Sequence, residues 1–140
     1  METMKIVAFK LGNEEYGLDI DYVQSIERIQ HITRVPNAPS YVQGVINLRG
    51  NVTPIIDLRS KLNIGEVSFT EQTRVIITKY EEIELGFSVD QTSDVIDITA
   101  EMIEPAFESE LDNDFFGGIA KIEERLIIFL KLTELIKATT

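Results

Sequence analysis

The chain has 140 residues, 44% of them hydrophobic, enough for one domain with a real core. Its 24 acidic residues outnumber 13 basic ones and give a net charge of -11, the wrong sign for coating a nucleic acid or an anionic bilayer. The absence of cysteine excludes a disulfide framework, thiolate catalysis and Cys-based zinc sites, and fits a reducing compartment.

The N-terminal "METMKIVAFKLGNEEYG" is too short in apolar run for a signal peptide. No segment approaches the roughly 18 apolar residues of a membrane span, so the expectation is a soluble, unprocessed, cytoplasmic protein. In chain order, Met4 to Leu11 reads as a strand, Gly12-Asn13 as a turn and Glu15 to Ile20 as its hairpin partner. Val23, Ile26 and Ile29 recur at helical spacing, but their β-branched character favours a turn followed by a strand. "VPNAP" is an irregular loop leading to strands Gly44 to Leu48 and Val52 to Ile56, which flank "RGN". Pro54 cannot donate to a ladder, which assigns its strand to an edge or a bulge. Asp57 is placed to cap a short helix through Leu62, and "NIGEVSFTEQ" follows as loop. Further strands are expected at Arg74 to Tyr80, Ile83 to Val89, Val95 to Ile98, Gly118 to Ile122 and Arg125 to Leu130. A terminal helix capped by Thr133 closes the series.

Two echoes run through this order. "EYGLDID" at Glu15–Asp21 and "ELGFSVD" at Glu84–Asp90 are offset by 69 residues. "GVINLRGNVTPIIDL" from Gly44 and "GGIAKIEERLIIFLKL" from Gly117 are offset by 72 to 74. Their common order and similar offset predict two like β units, approximately residues 1–70 and 71–140, with strands open to exchange between them. About 70 residues suffice for a small barrel of about five strands, whose closure limits exposed sheet edges. Two such barrels side by side leave a groove at their seam.

The run "VPNAPSYVQGVINLRGNVTPIIDLRSKL", with "EEYGLDIDYVQSI" before it and "ELGFSVDQTSDVIDITAEMIEP" after it, closely resembles the CheW family of chemotaxis coupling proteins. The resemblance covers essentially the whole chain. It implies an all-β fold with short helices, built as two intertwined five-stranded SH3-like β-barrel subdomains, and no enzyme activity. It further implies a scaffold that couples the cytoplasmic helical tip of chemoreceptors to the CheW-like regulatory domain of the chemotaxis histidine kinase. Such a protein needs no cofactor, binds no nucleic acid, does not insert in the membrane and is recruited from the cytoplasm to membrane-bound receptor arrays.

The titratable inventory agrees with binding rather than catalysis. His31 is the only histidine and has no local metal-ligand spacing. The carboxylate pairs Glu14-Glu15 and Glu81-Glu82 fall in hairpin turns, where charge favours solvent, and Gly117-Gly118 lacks the helix start and Lys-Ser/Thr of a phosphate cradle. The competing reading is a small acidic β-barrel enzyme or ligand-binding domain whose carboxylates converge only in three dimensions.

For binding, the family motif N-L-R-G falls on Asn47, Leu48, Arg49 and Gly50. The guanidinium of Arg49 either forks onto a partner's carboxylate or carbonyls, or braces its own loop against an acid such as Asp57. A receptor helix requires an apolar groove, for which Val23, Ile26, Gly44, Gly86 and Val95 are the candidates, although each apolar residue serves equally well as core. Many family members carry an acid before the isoleucine of the V-x-E-I segment; here Ser25 stands in its place and Glu27 is the neighbouring substitute. Ile103, Glu104 and Phe107, within an acidic segment, are the candidates for a second contact with the kinase.

Overall fold

Short runs of β-branched and aromatic residues punctuated by tight turns build eleven strands in the computed structural model, which describes residues 3–104 and 115–139. The first hairpin is β1 (Thr3–Leu11) with β2 (Glu14–Asp19), and a single 3-10 turn, Ile20–Tyr22, leads to β3 (Val23–Arg28). Here β-branching outweighs the helical spacing of Val23 and Ile26, as the sequence suggests. After the loop come β4 (Val42–Leu48), β5 (Asn51–Asp57) and helix α1 (Leu58–Lys61), then β6 (Arg74–Tyr80), β7 (Ile83–Val89) and β8 (Gln91–Thr99). The last elements are β9 (Ile103–Glu104), β10 (Phe116–Ile122), β11 (Arg125–Leu130) and α2 (Leu132–Thr139). Helix α2 begins one residue before Thr133, which therefore lies inside the first turn rather than capping it.

The strands form two sheets, in the orders β8-β1-β2-β11-β10-β9 and β3-β6-β7-β5-β4. Each joins two antiparallel hairpins through one parallel seam. In the first sheet Tyr16 of β2 lies opposite Ile128 of β11, and in the second Ile56 of β5 lies opposite Phe87 of β7. The hairpins are exchanged between the two sheets. One hairpin from each half of the sequence completes the sheet of the other half.

The compact units follow the exchange, not the midpoint of the sequence. One is Val23–Thr92, and the other combines Met1–Tyr22 with Ser93–Thr140, so the boundary expected near residue 70 is replaced by boundaries after Tyr22 and Thr92. Charge divides unequally between them. Val23–Thr92 holds seven basic and eight acidic residues, whereas the other unit holds six basic and sixteen acidic.

Each unit has its own core. Ile6, Ala8, Ile98, Ala120 and Ile127 pack together in the unit that combines Met1–Tyr22 with Ser93–Thr140, and Ile46, Leu48, Ile55, Val75 and Ile77 in Val23–Thr92. The echoed glycines occupy matching places. A Cβ on Gly17 would lie 2.8 Å from Ile6 Cδ1, and one on Gly86 would lie 2.7 Å from Ile55 Cδ1 and 2.8 Å from Val75 Cγ1. Both strands give up a side chain where the facing isoleucine needs the space.

Pro54 departs from expectation. Its strand β5 is internal, between β7 and β4. Its neighbour Val45 directs both backbone groups away, donating to Thr33 O at 2.8 Å and accepting from Thr33 N at 2.9 Å, so Val45↔Pro54 is not a hydrogen-bonded pair. On the other side the parallel ladder to β7 begins only at Ile55. The missing N–H faces no partner that requires it, and proline is tolerated without an edge.

Candidate functional site

The β4–β5 hairpin is closed by Arg49 and Gly50, with φ of 54° and 86°. Positive φ at both central residues is the requirement of a type I′ turn, whose twist matches its strands. Asn47 holds it, its Oδ1 accepting from Gly50 N at 3.0 Å. Glycine suits the second position because of φ; a Cβ there would meet nothing within 4 Å. The first position holds a non-glycine residue at the same φ in two other hairpin turns, Glu81 at 56° and Glu123 at 55°, so all three turns carry this cost of about 1 kcal/mol.

The guanidinium repays little of that cost within the chain. Arg49 Nη2 stands 3.7 Å from Glu27 Oε2, with the arginine side chain 74% exposed and the glutamate 22% exposed. An exposed pair this long contributes at most a few tenths of a kcal/mol. Asp57, the other acid considered as a brace, is buried and engaged elsewhere: Oδ1 accepts from Ser60 N at 3.1 Å and Oδ2 from Val67 N at 3.0 Å. It caps α1, as expected, and also ties down the following loop. Beside the turn, Val52 is 72% exposed, so the hairpin tip presents an arginine and a valine to solvent together.

The remaining candidates separate by role. Ile26 is exposed, and it shares the outer face of β3 with Gln24 and Arg28; Val23 is half-buried and pairs with Thr78. Gly44 sits at a bulge with φ of 148°, where a Cβ would lie 2.3 Å from Thr33 O. Its close approach is thus to its own chain, and Gly86 is likewise accounted for by the core. In the other unit Val95 is exposed on β8, Ile103 is half-buried and packs against the core, and Glu104 is exposed on β9. Phe107 lies outside the described residues.

The counterpart of the arginine turn is Glu123-Glu124 between β10 and β11. There Gly118 repeats Gly44: a bulge, a φ of 125°, and a Cβ that would lie 2.5 Å from Glu104 O. Arg125 follows the turn and is fully used. Its Nε and Nη2 donate to Glu15 at 3.1 and 2.6 Å, and its Nη1 and Nη2 donate to Asp94 at 3.1 and 2.9 Å. These hydrogen bonds hold the Asp94 carboxyl below its ordinary value and raise the guanidinium further above its own. One unit thus closes its arginine on two carboxylates, while the other leaves its arginine outward. Sequence reading missed this network because its members lie 31 and 110 residues apart.

No three-residue cluster of His, Asp or Glu among the described residues is arranged to hold a metal ion, and no described helix is long and apolar enough to cross a membrane. The described residues form a β-rich fold on which the Arg49-Gly50 turn, pinned by Asn47, faces outward.

Residues 5–140 match the CheW-like domain. The chain is 40% identical to the chemotaxis protein CheW of Klebsiella aerogenes, over 96% of this chain and 82% of that protein, and 45% identical to that of Bacillus subtilis, over 88% and 80%. The crystal structure of the scaffolding protein TtCheW from Thermoanaerobacter tengcongensis superposes with a TM-score of 0.87 at 38% identity, covering 96% of this chain and 88% of that one. The chain belongs to the CheW family, whose members are chemotaxis scaffolds and not enzymes.

Proposed function

We propose that this chain couples the helical cytoplasmic tip of chemoreceptors to the regulatory domain of the chemotaxis histidine kinase, as a cytoplasmic protein recruited to receptor arrays. The observation that carries the reading is the Arg49-Gly50 turn: Asn47 pins it, solvent surrounds it, and the corresponding turn of the other unit folds with Glu123-Glu124 instead. Glu81 and Glu123 take the same left-handed φ in their own turns, so the conformation belongs to the turn. What sets Arg49 apart is an exposed guanidinium with a single long ion pair, free to fork onto a partner's carboxylate or carbonyls. Ile26, Glu27, Val52 and Arg49 form the proposed contact set in Val23–Thr92, with Val95 and the segment from Ile103 as a second set in the other unit.

The carboxylate-enzyme reading has no comparable support. Glu15 and Asp94, which do converge in space, both accept from Arg125 and so serve as ion-pair partners. The decisive experiment is reconstitution of purified chain, receptor tip fragment and kinase. The chain should raise receptor-dependent kinase phosphorylation and co-sediment with both; failure to bind either partner overturns the proposal.

A further inference from the structure

In β3 and β6, two arginines are placed directly against one another. The antiparallel register sets Arg28 opposite Arg74, just as it sets Ile26 opposite Ile76. Directly opposed side chains share a face with Cβ atoms about 5 Å apart, and like charges in that position are destabilising. The two side chains line a recess of about 470 Å³ together with Ile29, Thr70, Glu71 and Thr73.

Their local bonding is unequal. Arg74 Nη1 donates to the carbonyls of Glu71 and Thr73 at 2.9 and 2.8 Å, which fixes its guanidinium without neutralising it. Arg28 is exposed, and its guanidinium has no hydrogen bond or ion pair with any described residue. Glu71 lines the same recess, yet its carboxylate forms no ion pair with either arginine. In a chain of net charge -11, where acids are abundant, an uncompensated arginine pair is a costly arrangement to keep on an exposed face.

The pair also lies next to an exposed isoleucine on β3. Gln24, Ile26 and Arg28 alternate outward along β3, and Ile26 is 41% exposed. Residues two apart on a strand are separated by about 6.7 Å, close to the roughly 6 Å between residues four apart on a helix. A helix lying along β3 can therefore seat an apolar residue on Ile26 and present a carboxylate one turn away to Arg28 and Arg74.

We propose that the Arg28–Arg74 recess is a carboxylate-recognition site, and that its occupant is an acidic side chain on the receptor helix, one turn from the apolar residue that packs on Ile26. This rests on the coupling function proposed above and adds to it the charge requirement of the receptor partner. Two guanidinium groups can each donate to one carboxylate, and the helix relieves the repulsion that the free protein carries.

Arg28→Glu gives the test because it drives stability and binding in opposite directions. It pairs with Arg74 internally, so the melting temperature should rise by about 2–4 °C. Affinity for the receptor tip fragment, measured by calorimetry on the full chain, should fall by about tenfold or more at ~0.05 M salt, with a weaker salt dependence than wild type. Ile26→Ala should weaken binding with the salt dependence kept. Wild-type binding that Arg28→Glu leaves unchanged overturns this inference alone, as does a loss confined to the kinase domain. A wild-type chain that does not bind the tip overturns both this inference and the coupling function.

Discussion

Replacing Arg49 separates a contact residue from a structural one. The intramolecular account is short: one ion pair at 3.7 Å, with the arginine side chain 74% exposed, and such pairs measure from nothing to about 0.5 kcal/mol when well exposed. Alanine keeps the β-carbon and hence the cost of a φ of 54°, so Arg49→Ala should change unfolding free energy by less than about 0.5 kcal/mol. Arg49→Gly removes the conformational cost and should stabilise by up to about 1 kcal/mol, partly offset by the greater freedom of glycine in the unfolded chain. Urea denaturation of the wild type and both variants measures these differences, and reconstituted kinase phosphorylation measures coupling. Both variants should lose coupling, although one is at least as stable as wild type. A loss of more than about 1.5 kcal/mol in Arg49→Ala, or full coupling by Arg49→Gly, would refute the reasoning.

Other perturbations probe the supporting structure. Asn47→Ala removes the hydrogen bond to Gly50 N and should cost about 0.5–1 kcal/mol while accelerating hydrogen exchange at that amide. Gly86→Ala forces a methyl against Ile55 and Val75 and should destabilise by about 1–3 kcal/mol in thermal melts; an Ile55→Val background should recover part of that loss. Arg125 lowers the pKa of Asp94, so the ion pair contributes stability above the unfolded carboxylate value of about 3.9 and loses it as pH falls through the lower folded value. Asp94→Asn should therefore flatten the acid side of the stability profile below about pH 4, and an unchanged profile would exclude this pair as its source.

Ten of the eleven strands and helix α1 are legible from local signals, Gly12, Arg49-Gly50 and Glu81-Glu82 at hairpin turns and Asp57 at the α1 cap. The two-residue β9 carries none, and α2 starts at Leu132, ahead of the Thr133 cap that the sequence suggests. The repeat was legible for a related reason. Gly17 and Gly86 mark the same packed position in the two cores. What the sequence leaves open depends on non-local pairing. The exchange of hairpins is fixed by parallel seams between β2 and β11 and between β5 and β7, which periodicity along one strand does not encode. The missing donor of Pro54 is visible in the sequence and suggests an edge or a bulge, whereas the redirection of Val45 toward Thr33 is not. At the candidate site, the motif singled out Arg49, but its exposure and the occupation of Asp57 emerged only with the fold. Arg28 and Arg74 passed unnoticed for the same reason, since their opposition exists only in the β3–β6 register.

The exchanged hairpins also impose an order on synthesis. All strands of the Val23–Thr92 unit leave the ribosome in one uninterrupted stretch, so that unit can assemble while the rest is still being translated. The β1–β2 hairpin emerges first but finds its parallel neighbour β11 only after Leu130 has been made. Until then the outer edge of β2, with Tyr16 and Leu18 on it, is an open strand edge of the kind that recruits foreign strands. The flanking acids Glu14, Glu15 and Asp19 on that same strand put negative charge along the waiting edge, and so guard the nascent chain against aggregation during the interval.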